Sequence, residues 1–170
     1  MLHEYAIDPA ILTKFEACRY ILEKMGIHNG RYISDFPSGW FKAVCQACND
    51  DDQCLPVNRQ RIMSMLRNIG RCVLARYYRY YDQEQSWLIN AENANEDAPF
   101  HAIISNENPR GNQIVLEIDD ITGEHPLITI QREHIVIRTA TELVSTVKPF
   151  FELANRFIFV DGYFNPLETK

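Results

Sequence analysis

The chain lacks most of the features that announce a function class. No window approaches the roughly 18 to 20 consecutive apolar residues that a membrane span needs, and the N-terminus, MLHEYAIDPA, has no basic segment ahead of an apolar block. No membrane contact and a cytoplasmic location are therefore expected. Glycine is scarce, with seven isolated residues, which excludes a Gly-rich phosphate loop. Cysteine occurs at five positions, an odd number without a regular framework, as expected of reduced thiols inside a cell. Neither a complete catalytic motif nor a cofactor fingerprint is present, so no cofactor is expected and the enzyme question stays open.

What is present is an ordinary globular composition, 46% hydrophobic and 24% charged over 170 residues, enough to bury a real core. The net charge of -6 is unevenly spread along the chain. From Val57 to Tyr81 the only charges are Arg59, Arg61, Arg67, Arg71, Arg76 and Arg79; from Asp82 to His125 the only Lys or Arg is Arg110, among many acids. The fold either joins these blocks or offers one to a partner.

The first half has helical grammar. Asp8-Pro9 opens a helix whose Ile11, Phe15, Cys18, Leu22 and Met25 form one stripe, closed by Gly26. A second helix follows Ser38, with Phe41, Val44, Cys45 and Cys48 on one face. A third is expected from Asn58 to about Tyr81, burying Ile62, Leu66, Ile69, Val73 and Tyr77, and a fourth over Gln83 to Ala94. After Pro99 the pattern becomes short β-branched runs between turns, HAIIS, QIVLEI, LITI and HIVIR, which predicts a four-stranded antiparallel meander. A helix over Thr141 to Ala154 and a fifth strand, Phe157 to Val160, complete the reading. The expected fold is α+β, with a helical part over 1–97 and a sheet part over 98–170 forming one compact unit.

Three side-chain groupings bear on function. Cys45-x-x-Cys48 with Cys54, and Cys72 or His28 as a fourth ligand, has zinc-like spacing, but the pair shares a predicted helix face with Phe41 and Val44, where thiols pack as small hydrophobes. Core packing is the reading adopted, and no metal is expected. His101 and His134, each at the start of a predicted strand, would form an enzyme site only if the fold gathers them with the turn acids. Arg61, Arg67, Arg71 and Arg79 fall on one predicted helical arc with Tyr78 among them. They suit either a phosphate backbone with a stacked base or an acidic protein surface, and the overall acidity favours protein.

The segment from Leu153 to Pro166, LANRFIFVDGYFNP, runs from a helix through a small residue into an apolar strand ending in Asp-Gly. It resembles the opening helix and strand of bacterial phospholipase D-like domains, some of which are nucleases that defend against phage. The resemblance implies an α/β sandwich and a later His-x-Lys motif, and no His-x-Lys occurs in this sequence. The expectation is a non-catalytic module for protein interaction or self-assembly, helping to position such an effector, with Phe157, Phe159, Tyr163 and Phe164 as a partner surface. The alternatives are a nucleic-acid-binding part of a nuclease and an enzyme of another type.

Overall fold

The computed structural model describes residues 2–75, 77–123, 125–129 and 139–153. At its centre is a five-stranded sheet in the order β3-β2-β1-β4-β5, formed by β1 (His3–Ile7), β2 (Arg31–Ser34), β3 (Val73–Leu74), β4 (Ala102–Ile104) and β5 (Val115–Leu116). Every pairing is parallel, with Tyr5 opposite both Ile33 and Ala102. This overturns the four-stranded antiparallel meander. HAIIS and QIVLEI do supply β4 and β5, but Leu127 and Ile128 of the next run, LITI, lie in a turn, and HIVIR lies outside the described residues.

The error has a physical source. Strands β1 and β2 read HEYAI and RYIS, and their His, Glu, Arg and Ser hide the apolar run by which a doubly covered strand is normally recognised. The third predicted helix also conceals an edge strand. Helix α3 (Pro56–Ile69) stops well short of Tyr81, and a 3-10 turn over Gly70–Cys72 leads into β3. The sheet takes β1, β2 and β3 from before residue 97 and β4 and β5 from after it, so the helical part and the sheet part share one sheet.

Side chains alternate between the two faces of the sheet, as the pleat requires. On the first face Tyr5, Ile7, Ile33, Ala102, Ile104 and Leu116 join a core supplied by α1 (Phe15–Lys24), α2 (Trp40–Asp50) and α3. The stripes expected for these helices supply that core: Cys18 and Leu22 from α1, Val44 and Cys48 from α2, Ile62 and Leu66 from α3. Each large aliphatic removed from water here contributes about 1.5 to 3 kcal/mol. Asp8 caps the 3-10 turn Pro9–Thr13 before α1, accepting from the Ala10 amide at 2.9 Å. Gly26, at φ 133°, ends the unit in a conformation closed to other residues, and a Cβ there would stand 2.5 Å from the His28 ring. Trp40, fully buried, donates its indole N–H to the Ile7 carbonyl at 2.7 Å and ties α2 to the end of β1.

The second face is built differently. Ala6, Ile103 and Val115 pack with Phe36, Phe100 and the Leu88, Ala91 and Ala94 stripe of α4 (Trp87–Asp97). Over β2 and the start of β1 no helix lies among the described residues; the coil of residues 77–86 ahead of α4 covers that area through Arg79. The short α5 (Ile118–Thr122) follows β5, and α6 (Ala140–Leu153) occupies nearly the span expected for it, with Leu143, Val144 and Val147 exposed.

Candidate functional site

The coil between β3 and α4 carries the sequence Tyr77-Tyr78-Arg79-Tyr80-Tyr81-Asp82. In this coil the Arg79 side chain is buried and Tyr81 packs inward, while Tyr78 and Tyr80 stand exposed. The Arg79 side chain is only 4% exposed and pairs at 2.8 Å with Glu4 of β1, also 4% exposed. A buried pair is tolerated only when its remaining donors and acceptors are met, and here they are. Arg79 donates to Ser34 Oγ at 3.1 Å and, through Nε and Nη2, to the Ala98 carbonyl at 3.3 and 2.9 Å. Tyr32 donates its hydroxyl to the second Glu4 oxygen at 3.1 Å. The guanidinium also lies 4.0 Å from the Phe100 ring centroid, a close cation–π contact.

Further along, Asn90 of α4 clamps the coil by its backbone. Its Oδ1 accepts from the Asp82 amide at 2.7 Å and its Nδ2 donates to the Asp82 carbonyl at 2.8 Å. Tyr81 meets the Phe36 ring edge-on at 5.5 Å, and burial, with Asp8 nearby, raises its phenol above the ordinary value. The segment is thus anchored at residues 79, 81 and 82. Beside these anchors Tyr78 is 94% and Tyr80 74% exposed. A cavity of about 340 Å3 opens between this segment and α4, and a second of about 270 Å3 lies towards Asp35, Phe36 and Ser38.

The predicted arginine arc is therefore divided. Arg61 and Arg67 stand exposed on α3 and Arg71 on the turn after it, on the side of the first face. Arg61 also lies over the Phe15 ring at 5.5 Å. Arg79 is consumed inside the molecule, and Tyr78 belongs to the crossover coil beyond β3 rather than to a helix shared with them. The largest of these depressions, about 540 Å3, runs between α1 and α3 past Met25, His28, Met65 and Arg71.

The thiols are divided as well. Cys48 and Cys54 are buried with Cys18 in the first core, while Cys45 is half-buried beside Met63, 3.2 Å between sulfurs. Burial, reinforced by the neighbouring thiols, pushes Cys18 and Cys48 up to about 12, which keeps them protonated and unreactive. Among the described residues no three His, Cys, Asp or Glu side chains are placed to hold a metal ion.

His101 does find a histidine partner, though a different one from the one considered: its Nδ1 lies 2.9 Å from Nδ1 of His3, and His134 falls outside the described residues. His101 Nε2 is 3.1 Å from the Leu127 carbonyl, which can only accept, so that nitrogen carries the hydrogen and Nδ1 accepts from His3. Burial and then the neighbouring His101 lower His3 to about 4, and burial lowers His101 too. Both rings stay neutral as part of the strand-start packing.

Open parallel sheets bind ligands where the strand order reverses, here outside the carboxyl ends of β1 and β4. Asp8 stands there, its carboxyl raised by burial and by the like charge of Glu107 while the Ala10 amide opposes the rise. Its hydrogen bond caps a turn, and it has no third acid with which to hold a metal among the described residues. The aromatic surface Phe157, Phe159, Tyr163 and Phe164 and the phospholipase D-like stretch lie outside the described residues, apart from the Leu153 that opens it.

Glu4, Tyr80, Asp82 and Asp97 escaped the sequence reading. The signal available was the run YYRYYD between a strand and a capped helix, a lone arginine among tyrosines. No protein-family model, curated protein or solved structure matches this chain.

Proposed function

We propose that this chain is a protein-interaction module whose docking surface is the tyrosine-bearing crossover segment of residues 77–82. One observation carries the reading: Tyr78 and Tyr80 are held almost bare to solvent on both sides of an arginine whose side chain is only 4% exposed. Tyrosine is among the residues most enriched at binding hot spots, because it supplies large area with few torsions to freeze. Anchoring the backbone at Arg79 and Asp82 means that little further ordering is lost when a partner arrives. The five free cysteines suit a cytoplasmic setting, which forms part of the same proposal. In that setting the module brings a partner to a phospholipase D-like or other effector activity.

A photo-crosslinking amino acid placed at position 78 or 80 in cells should give discrete protein adducts, whereas one at exposed position 64 should not. Equal labelling at the two kinds of site removes the proposal. A second reading, nucleic-acid binding, rests on the exposure of Arg61, Arg67 and Arg71. It requires oligonucleotide affinity that falls with added salt and is lost on Arg67→Ala with Arg71→Ala.

A further inference from the structure

The cavity of about 340 Å3 between the crossover segment and α4 is lined by Tyr78, Tyr80, Asp82 and Asp97 together with amide side chains that include Asn93. This volume sits near the lower end of ligand sites, about 300 to 1,000 Å3, which suits one long side chain better than a cofactor. Its charge is one-sided. Among the described residues the only cation in the lining is Arg79, and its guanidinium is neutralised by Glu4 at 2.8 Å and turned to the Ala98 carbonyl. Both oxygens of Asp82 are oriented by local donors, Glu84 N at 2.9 Å and Gln85 Nε2 at 2.8 Å, so the carboxylate is fixed in place and keeps spare acceptor capacity.

Asp97 is placed against its own helix. It is the last residue of α4, preceded by Glu96, in a last turn without a basic residue. The helix dipole there already favours a positive charge and disfavours carboxylates. A cation entering the cavity would meet the dipole, Asp97 and Asp82 together, with tyrosine rings to cover its apolar stem. Aromatic faces combined with carboxylates are the chemistry that selects guanidinium and ammonium groups.

We infer that this cavity receives the cationic side chain, arginine or lysine, of a basic peptide segment on the docking partner. The inference rests on the docking reading above and names the chemistry of what docks. The same negative lining repels a phosphate backbone, which separates this site from the arginines of α3.

The test uses the full chain and fluorescein-labelled Gly-Arg-Gly-Arg-Gly, with citrulline in place of arginine as the neutral twin. Anisotropy should show the arginine peptide binding at least about tenfold tighter than the citrulline peptide, a preference that weakens with salt. Asp97→Asn and Tyr80→Ala, both at exposed positions and so compatible with folding, should each weaken it about three- to tenfold. Equal binding of the two peptides, no binding, or an unchanged affinity in Asp97→Asn overturns the inference. If crosslinks at position 78 persist unchanged in Asp97→Asn, the docking surface stands and the cation cavity falls. If they are absent from the unmodified sequence, the docking reading itself falls.

Discussion

The two faces of the sheet solve the same covering problem with opposite chemistry. On the first face, α1, α2 and α3 lay Cys18, Leu22, Val44, Ile62 and Leu66 on Tyr5, Ile7 and Ile33, and nearly every contact is hydrocarbon. On the second, α4 covers only part of the sheet, and a coil covers the rest by inserting one arginine against a strand glutamate. A helix satisfies its own backbone and can offer a purely apolar stripe. A coil has few apolar side chains to give, so it is held by a small number of directional bonds. The first face shows solvent the arginines of α3 and the turn after it, while the second presents tyrosines.

The largest expected effect breaks the second face. Arg79→Ala leaves the Glu4 carboxylate buried without its partner and should cost about 4 kcal/mol in urea unfolding. Arg79→Met combined with Glu4→Gln should recover most of that loss; a double variant as unstable as the single one would show that the ion pair is not what holds the coil. On the first face, Leu66→Ala should cost about 3 kcal/mol through lost burial and a cavity, and a loss under 1 kcal/mol would contradict a close-packed helical cover.

A smaller effect comes from the paired rings where β1 and β4 begin. With His3 lowered to about 4 from an ordinary 6.5, the unfolded chain binds a proton that the folded one refuses, so stability is full above pH 6.5 and declines as pH falls from 6.5 towards 4. Because the pair is half exposed, solvent screening limits the loss to about 1 kcal/mol. Urea midpoints between pH 7 and 5 report it, and His3→Gln should flatten that slope; an unaltered slope would dissociate it from this pair. Smallest of all, Tyr78→Ala and Tyr80→Ala should each change stability by no more than about 0.5 kcal/mol, since neither ring is buried. A loss above 1 kcal/mol would mean that these tyrosines serve the fold rather than a partner.

The helices were legible in sequence to the extent that their contacts repeat locally. The Cys18 and Leu22 stripe, the Ile62 and Leu66 stripe and the approximate span of α6 all follow from spacing along one element. The central strands were not, because Glu4, Arg31 and Ser34 look unlike a buried strand until their partners are present. Arg31 donates to the Lys24 carbonyl at 2.9 Å and to the Ile128 carbonyl, and Glu4 waits for Arg79. Helical winding assigned Arg79 to the surface, whereas the coil after β3 takes its side chain inside.

The order of residues by itself determined the amphipathic helices, the separation of basic and acidic blocks and the absence of a complete catalytic motif, since each is a property of neighbours in the chain. Only the tertiary structure decided that the strands run parallel and that one arginine of the basic block is an anchor while its flanking tyrosines stand exposed. The reason is that a charge can leave water only beside its counter-charge, and for Arg79 that group lies 75 positions away in the chain.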